Sequence, residues 1–121
     1  MKKFLILLLT VTSFNMLAQK QSTFLYELTL FEPYKHRALW TDREREIQQA
    51  HVNYLDALEA AGALIVAGII DQNLENHTGF VVLTTDSYEE AFDIVQNDPS
   101  IKEGMMSANL RPFNIYFRSE D

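Results

Sequence analysis

The sequence predicts an α+β domain in the order β-α-β-β-α-β, with a four-stranded antiparallel sheet that carries both helices on one face. Three observations point to it. Four short runs are rich in aromatic and β-branched residues, two stretches place apolar residues at helical spacing, and capping or turn residues mark the junctions. The whole chain is 121 residues long, which allows one domain with its own core and no second.

The first eighteen residues stand apart from that pattern. Lys2 and Lys3 precede the apolar run Phe4 to Val11, and a more polar stretch leads to Met16-Leu17-Ala18-Gln19. This order is that of a secretory signal peptide over 1–18, cut after Ala18. The run is shorter than the roughly 20 apolar residues a membrane-spanning helix needs, so no stable membrane anchor is expected after cleavage. A buried first strand or an uncleaved anchor is the plainer alternative. Loss of Lys2 and Lys3 deepens the net charge from -7 toward -9, and the expected location is periplasmic or secreted.

The domain is expected over 23–118. Thr23 to Phe31 reads as the first strand, closed by Glu32-Pro33. Thr41-Asp42-Arg43-Glu44 has the form of a capping box, and a helix runs from there to about Ala61, where Gly62 suits a left-handed stop. Leu64 to Ile70 and Gly79 to Thr85 make a hairpin with a long polar tip. Ser87, followed by Glu89-Glu90, caps a short second helix that halts at Asn97-Asp98-Pro99. After an irregular stretch, Asn109 to Phe117 reads as the last strand, and Pro112 places it at an edge because proline cannot donate to a ladder. This is the split arrangement of a ferredoxin-like subunit. Several strands are apolar on both faces, whereas a sheet half open to water alternates cleanly. The face without helices therefore calls for a cover, and a second copy of the chain is the expected one.

Composition narrows the function. Seventeen acidic against ten basic residues argue against nucleic acid as a partner. With no cysteine there is no disulfide framework and no thiolate nucleophile or ligand. The sequence holds no Gly-rich phosphate loop, serine elbow or HExxH pair, and His36, His51 and His77 fall on different elements without ligand spacing, so no metal or cofactor is expected.

His51 is the residue that stands out. At 100° per residue it shares the inward face of the first helix with Ile47, Tyr54, Leu55 and Leu58. A core histidine bonded to a backbone carbonyl would fit the same pattern. Asp98 changes the weighing. Counting back from Ala61 to His51 and forward from Ser87 to Asp98 gives about 15 and 16 Å at the helical rise, so in antiparallel helices the two stand at nearly one height. Asp98 lies poorly with respect to the helix dipole, and Pro99 holds its backbone extended. A solvated loop carboxylate is the competing reading.

In the loop before the first helix, Tyr34, His36, Arg37 and Trp40 are placed to line a small pocket above His51. Trp40 equally suits a hydrophobic staple beside Thr41. Arg111 is a candidate for an anionic group, or simply a solvated edge residue.

The segments Gln49-Ala50-His51-Val52-Asn53-Tyr54-Leu55, Ala67-Gly68, Asn97-Asp98-Pro99-Ser100-Ile101-Lys102-Glu103-Gly104 and Arg111-Pro112-Phe113 resemble, in order, the YciI-like or YCII-related domain family. The resemblance implies a dimeric α+β barrel and a histidine–aspartate active-site pair, here His51 and Asp98. Ile69 stands where the family usually has proline, and a signal peptide is unusual for it. By analogy the reaction is a cofactor-independent lyase or isomerase step on a small cyclic or enolisable metabolite. Tyr34, Trp40 and Arg111 would contact that small-molecule ligand, in a homodimer. The alternative is a noncatalytic dimeric module that binds a small ligand or a protein.

Overall fold

The structure is a computed structural model that describes residues 22–120, so the signal-peptide expectation for 1–18 lies outside the described residues. Strand β1 (Ser22–Leu30) leads through two short 3-10 turns, Glu32–Tyr34 and Arg37–Leu39, to helix α1 (Asp42–Ala60). The hairpin β2 (Leu64–Ile70) and β3 (Thr78–Thr85) follows, then α2 (Tyr88–Gln96), a one-turn helix α3 (Pro99–Lys102) and β4 (Met106–Pro112). The sheet order is β2-β3-β1-β4 with every neighbouring pair antiparallel, which is the expected α+β arrangement.

Local chemistry explains where α1 begins and ends. The Glu44 carboxylate accepts from both the backbone N–H and the hydroxyl of Thr41, at 2.9 Å each. Those bonds from Thr41 hold the Glu44 carboxyl below the usual carboxylate range and satisfy donors the first turn leaves free. At the other end Gly62 adopts φ +79°, the left-handed conformation that a side chain would oppose.

The alternate residues Phe24, Tyr26, Leu28 and Leu30 of β1 are all buried under the helices, where they meet Val81 and Leu83 of β3 and Ala91 and Val95 of α2. The opposite face carries Leu25, Glu27 and Thr29 beside Val82 of β3, as the register Leu25↔Val82 requires.

Two sequence expectations are corrected. The last strand occupies Met106–Pro112 and not Asn109–Phe117. Its pairing starts at Leu30↔Met106 and reaches Phe24↔Pro112, and just beyond it the Phe113 N–H donates to the Thr23 carbonyl at 3.0 Å. Tyr116 and Phe117 lie past the end of the strand and are exposed despite their strand-like composition. The stretch after Asp98, expected to be irregular, opens with α3, which Asp98 caps by accepting from the Ser100 N–H at 2.9 Å. Proline at the first helical position needs no hydrogen-bond donor there. Pro112 sits on an edge strand as expected. No helix among the described residues is long and apolar enough to cross a membrane.

Candidate active site

The inward stripe of α1 delivers His51 to the interior, where it is only 6% exposed. Asp98, fully buried, arrives from the junction of α2 and α3 with an extended backbone (φ -63°, ψ 125°) set by the following proline. The two side chains meet directly. His51 Nδ1 lies 2.8 Å from Asp98 Oδ1 and 3.0 Å from Oδ2. Asp98 Oδ1 also accepts from the Ser100 backbone N–H at 2.9 Å and the Ser100 hydroxyl at 2.8 Å, while Oδ2 accepts from the Tyr26 hydroxyl at 3.1 Å. The carboxylate near the end of α2 is thus stabilised as the cap of α3, which relieves the unfavourable dipole expected from sequence.

These contacts decide the charge states. Burial pushes the Asp98 carboxyl up, but the hydrogen bond and charge of His51, with the two Ser100 donors, more than offset it and hold the carboxyl below its ordinary range. Tyr26 moves the other way: burial first, then the Asp98 charge, raises its phenol far above the ordinary value and keeps it a neutral donor. An ionised carboxylate only accepts, so Nδ1 of His51 carries the proton. Nε2 is then the nitrogen with a free lone pair, on a ring that lines a cavity.

The cavity has a volume of about 460 Å³, within the range of small-molecule sites. It lies between α1 and the β2–β3 hairpin. Leu28, Leu30, Trp40, Leu55, Ala67 and Val81 give it apolar walls, and Ile69 forms part of the β2 side. Arg37, Gln48 and His77 bring polar groups to one part, Asp56 and Glu59 of α1 to another.

Of the residues singled out in the sequence, the structure brings together His51, Asp98 and Trp40. Trp40 is a wall of the cavity and also a buried support of the helix start, its Nε1 donating to the Tyr34 carbonyl at 2.8 Å. At the partner position of a staple stands Arg45, whose guanidinium donates to the Trp40 carbonyl at 2.9 Å, so the contact there is polar. Tyr34 packs against the core and contributes a backbone carbonyl, but does not line the cavity. Arg111 lies on the opposite face of the sheet, because Leu25↔Arg111 registers it with the outward residues of β1, and it pairs there with Glu27. His36 sits in an adjoining recess, 3.7 Å from Glu75. Sequence reasoning overlooked Tyr26, Ser100 and His77. The signal for Tyr26 was available: it sets a hydroxyl among the apolar residues Phe24, Leu28 and Leu30 of the β1 stripe, and a buried phenol requires a partner.

Among the described residues no cluster of side chains suits a metal ion. The protein family described as YCII-related domain matches residues 26–114. No curated protein matches the chain. Among solved structures, the chain is similar to 5-chloro-2-hydroxyhydroquinone dehydrochlorinase from Burkholderia phenoliruptrix AC1100, in complex with 2,5-dihydroxybenzoquinone. The identity is 21%, the match covers 76% of this chain and 93% of the other, and the TM-score is 0.58, so the likeness is one of fold.

Proposed function

The chain belongs to the YCII-related domain family, and from that premise we propose that it is a cofactor-independent lyase or isomerase acting on a small cyclic or enolisable metabolite. The observation that carries the reading is the His51–Asp98 contact, buried on the aspartate side and facing a cavity on the histidine side. His51 Nε2 takes a proton from an acidified carbon or phenolic oxygen. Asp98 fixes the ring through Nδ1–H and stabilises the imidazolium that results, and Tyr26 and Ser100 keep Asp98 in place. The proton is returned to the ring skeleton in an isomerisation, or to solvent when a leaving group departs. Trp40 is part of the apolar wall beside which a small ring is held.

The dehydrochlorinase of similar fold, whose bound ligand is a dihydroxybenzoquinone, favours this class of substrate. The outer face of the sheet, with Phe113 and Val66 exposed, is covered in the proposed assembly by a second copy of the chain. Export through the leader at 1–18 would place the enzyme in the periplasm or outside the cell.

Deuterium exchange tests the chemistry whatever the product proves to be. The protein is incubated in D2O with a set of hydroxyquinones and cyclic ketones, and loss of the acidic C–H signal is followed by NMR. Exchange above the buffer rate that vanishes in His51→Asn is expected. Equal rates in the His51→Asn variant, or no exchange or elimination with any member, would reject the acid–base assignment in favour of a binding module.

A further inference from the structure

The cavity that holds His51 is unequal along its length. Arg37 and His77 line the part next to the β2–β3 tip, and both also line the adjoining recess. Arg43, Arg45 and Arg111 each hold a carboxylate. Arg37 holds none among the described residues; its guanidinium carbon lies 5.1 Å from the centroid of the Trp40 ring, within cation–π reach. Two acids of the β2–β3 tip are otherwise engaged. Glu75 faces His36, and Asp71 accepts from the Asn73 backbone within its own turn at 2.9 Å.

His77 completes the arrangement. Its Nδ1 is buried without a hydrogen-bond partner. A bare lone pair there costs less than an orphaned N–H, so the proton belongs on Nε2, where a ligand or solvent accepts it. Burial, followed by the positive field of Arg37, lowers the pKa of this imidazole, with Asp71 opposing. The field that discourages a proton on His77 is the one an anion would cancel.

Resting on the reading of His51 as the base, we propose that Arg37 and His77 form an anion-holding subsite. The ligand class is then a small planar ring bearing one acidic oxygen group, a carboxylate, phenolate or enolate. The ring lies against Trp40 and the apolar walls with its reacting position toward His51. Asp56 and Glu59, elsewhere on the cavity lining, disfavour a second negative group and so fix which way round the ring enters. Arg37 and His77 here are specificity residues, and the proton transfer stays with His51.

Benzoate and benzamide separate this proposal from the catalytic one, because they share a shape, differ in charge and carry no proton for His51 to remove. Affinities are read by NMR titration of the purified protein. Benzoate is expected to bind more tightly than benzamide. Arg37→Gln should weaken benzoate by about ten- to a hundredfold, the range for a charge-assisted pair, and leave benzamide unchanged, while Arg37→Lys retains part of the preference. Saturation with benzoate should raise the pKa of His77, followed through its ring resonances, against the background of Arg37, Asp71, Glu75, His36 and Lys35, which surround this end. Equal binding of the two probes, no benzoate binding, an unmoved His77 or insensitivity to Arg37→Gln would each overturn the subsite. If benzoate binding depends on Arg37 but the exchange experiment fails, the subsite stands and the acid–base reading falls; the reverse pair of results has the opposite meaning.

Discussion

Replacing Asp98 by Asn tests the tautomer argument at its source. The amide keeps an oxygen at the Oδ1 position, 2.8 Å from His51 Nδ1, but both lone pairs of that oxygen are taken by the two Ser100 donors, and an NH2 group stands at the Oδ2 position, 3.0 Å from Nδ1, where Oδ2 had accepted from Tyr26. Both partners can adapt. The Tyr26 hydroxyl rotates to accept, and His51 accepts at Nδ1 once its proton has moved to Nε2. All four hydrogen bonds to the carboxylate become neutral ones while the cost of burying its charge is lifted, a net loss of about 2 kcal/mol. In a domain of this size that lowers Tm by roughly 8–16 °C. Asp98→Ala, which leaves the buried donors with nothing to bond, should cost more, about 3–5 kcal/mol. The decisive assay is 15N NMR of the imidazole. The native protein should show the proton on Nδ1 and the Asp98→Asn variant on Nε2, with proton exchange abolished although the fold survives. An unchanged tautomer in the folded Asp98→Asn variant would refute the claim that Asp98 sets the ring's proton.

Acid should destabilise the protein partly through the same carboxylate. Because the folded state holds Asp98 below its ordinary value of 3.8, its contribution is complete above that pH and is lost as pH falls through the lower folded value; urea titrations should show a shallower acid limb for Asp98→Asn. Gly62→Ala should cost about 1 kcal/mol by denaturant unfolding, since nothing lies within 4 Å of the added methyl and only the φ of +79° opposes it; a neutral result would mean the turn relaxes freely. The native protein should sediment as a dimer at micromolar concentration and Phe113→Glu as monomer or aggregate; a native monomer would contradict the covered outer face. Mass spectrometry of exported protein should find a chain beginning near Gln19, and an intact N-terminus from cells would remove the case for a signal peptide.

Local rules made much of the fold legible in the sequence alone. The capping box at Thr41 and Glu44, the stop at Gly62 and the inward stripe of α1 depend on residues within one or two turns of each other, so spacing reveals them. Counting helical rise in an antiparallel pair also sets His51 and Asp98 at nearly one height. What the tertiary structure decided was everything set by partners far along the chain. The register of β4 depends on β1, so the strand closes at Pro112 with the Phe113 N–H still donating to Thr23, and Tyr116 and Phe117 lie outside it despite their composition. Tyr26 reaches Asp98 across 72 positions, a contact that no periodicity encodes. Arg111 faces away from the cavity because a sheet alternates its side chains between two faces, while Arg37 and His77, from separate loops, come to line one wall. A helix announces itself through near neighbours. A pocket is built only when distant segments share a volume, and packing of the whole core determines which segments those are.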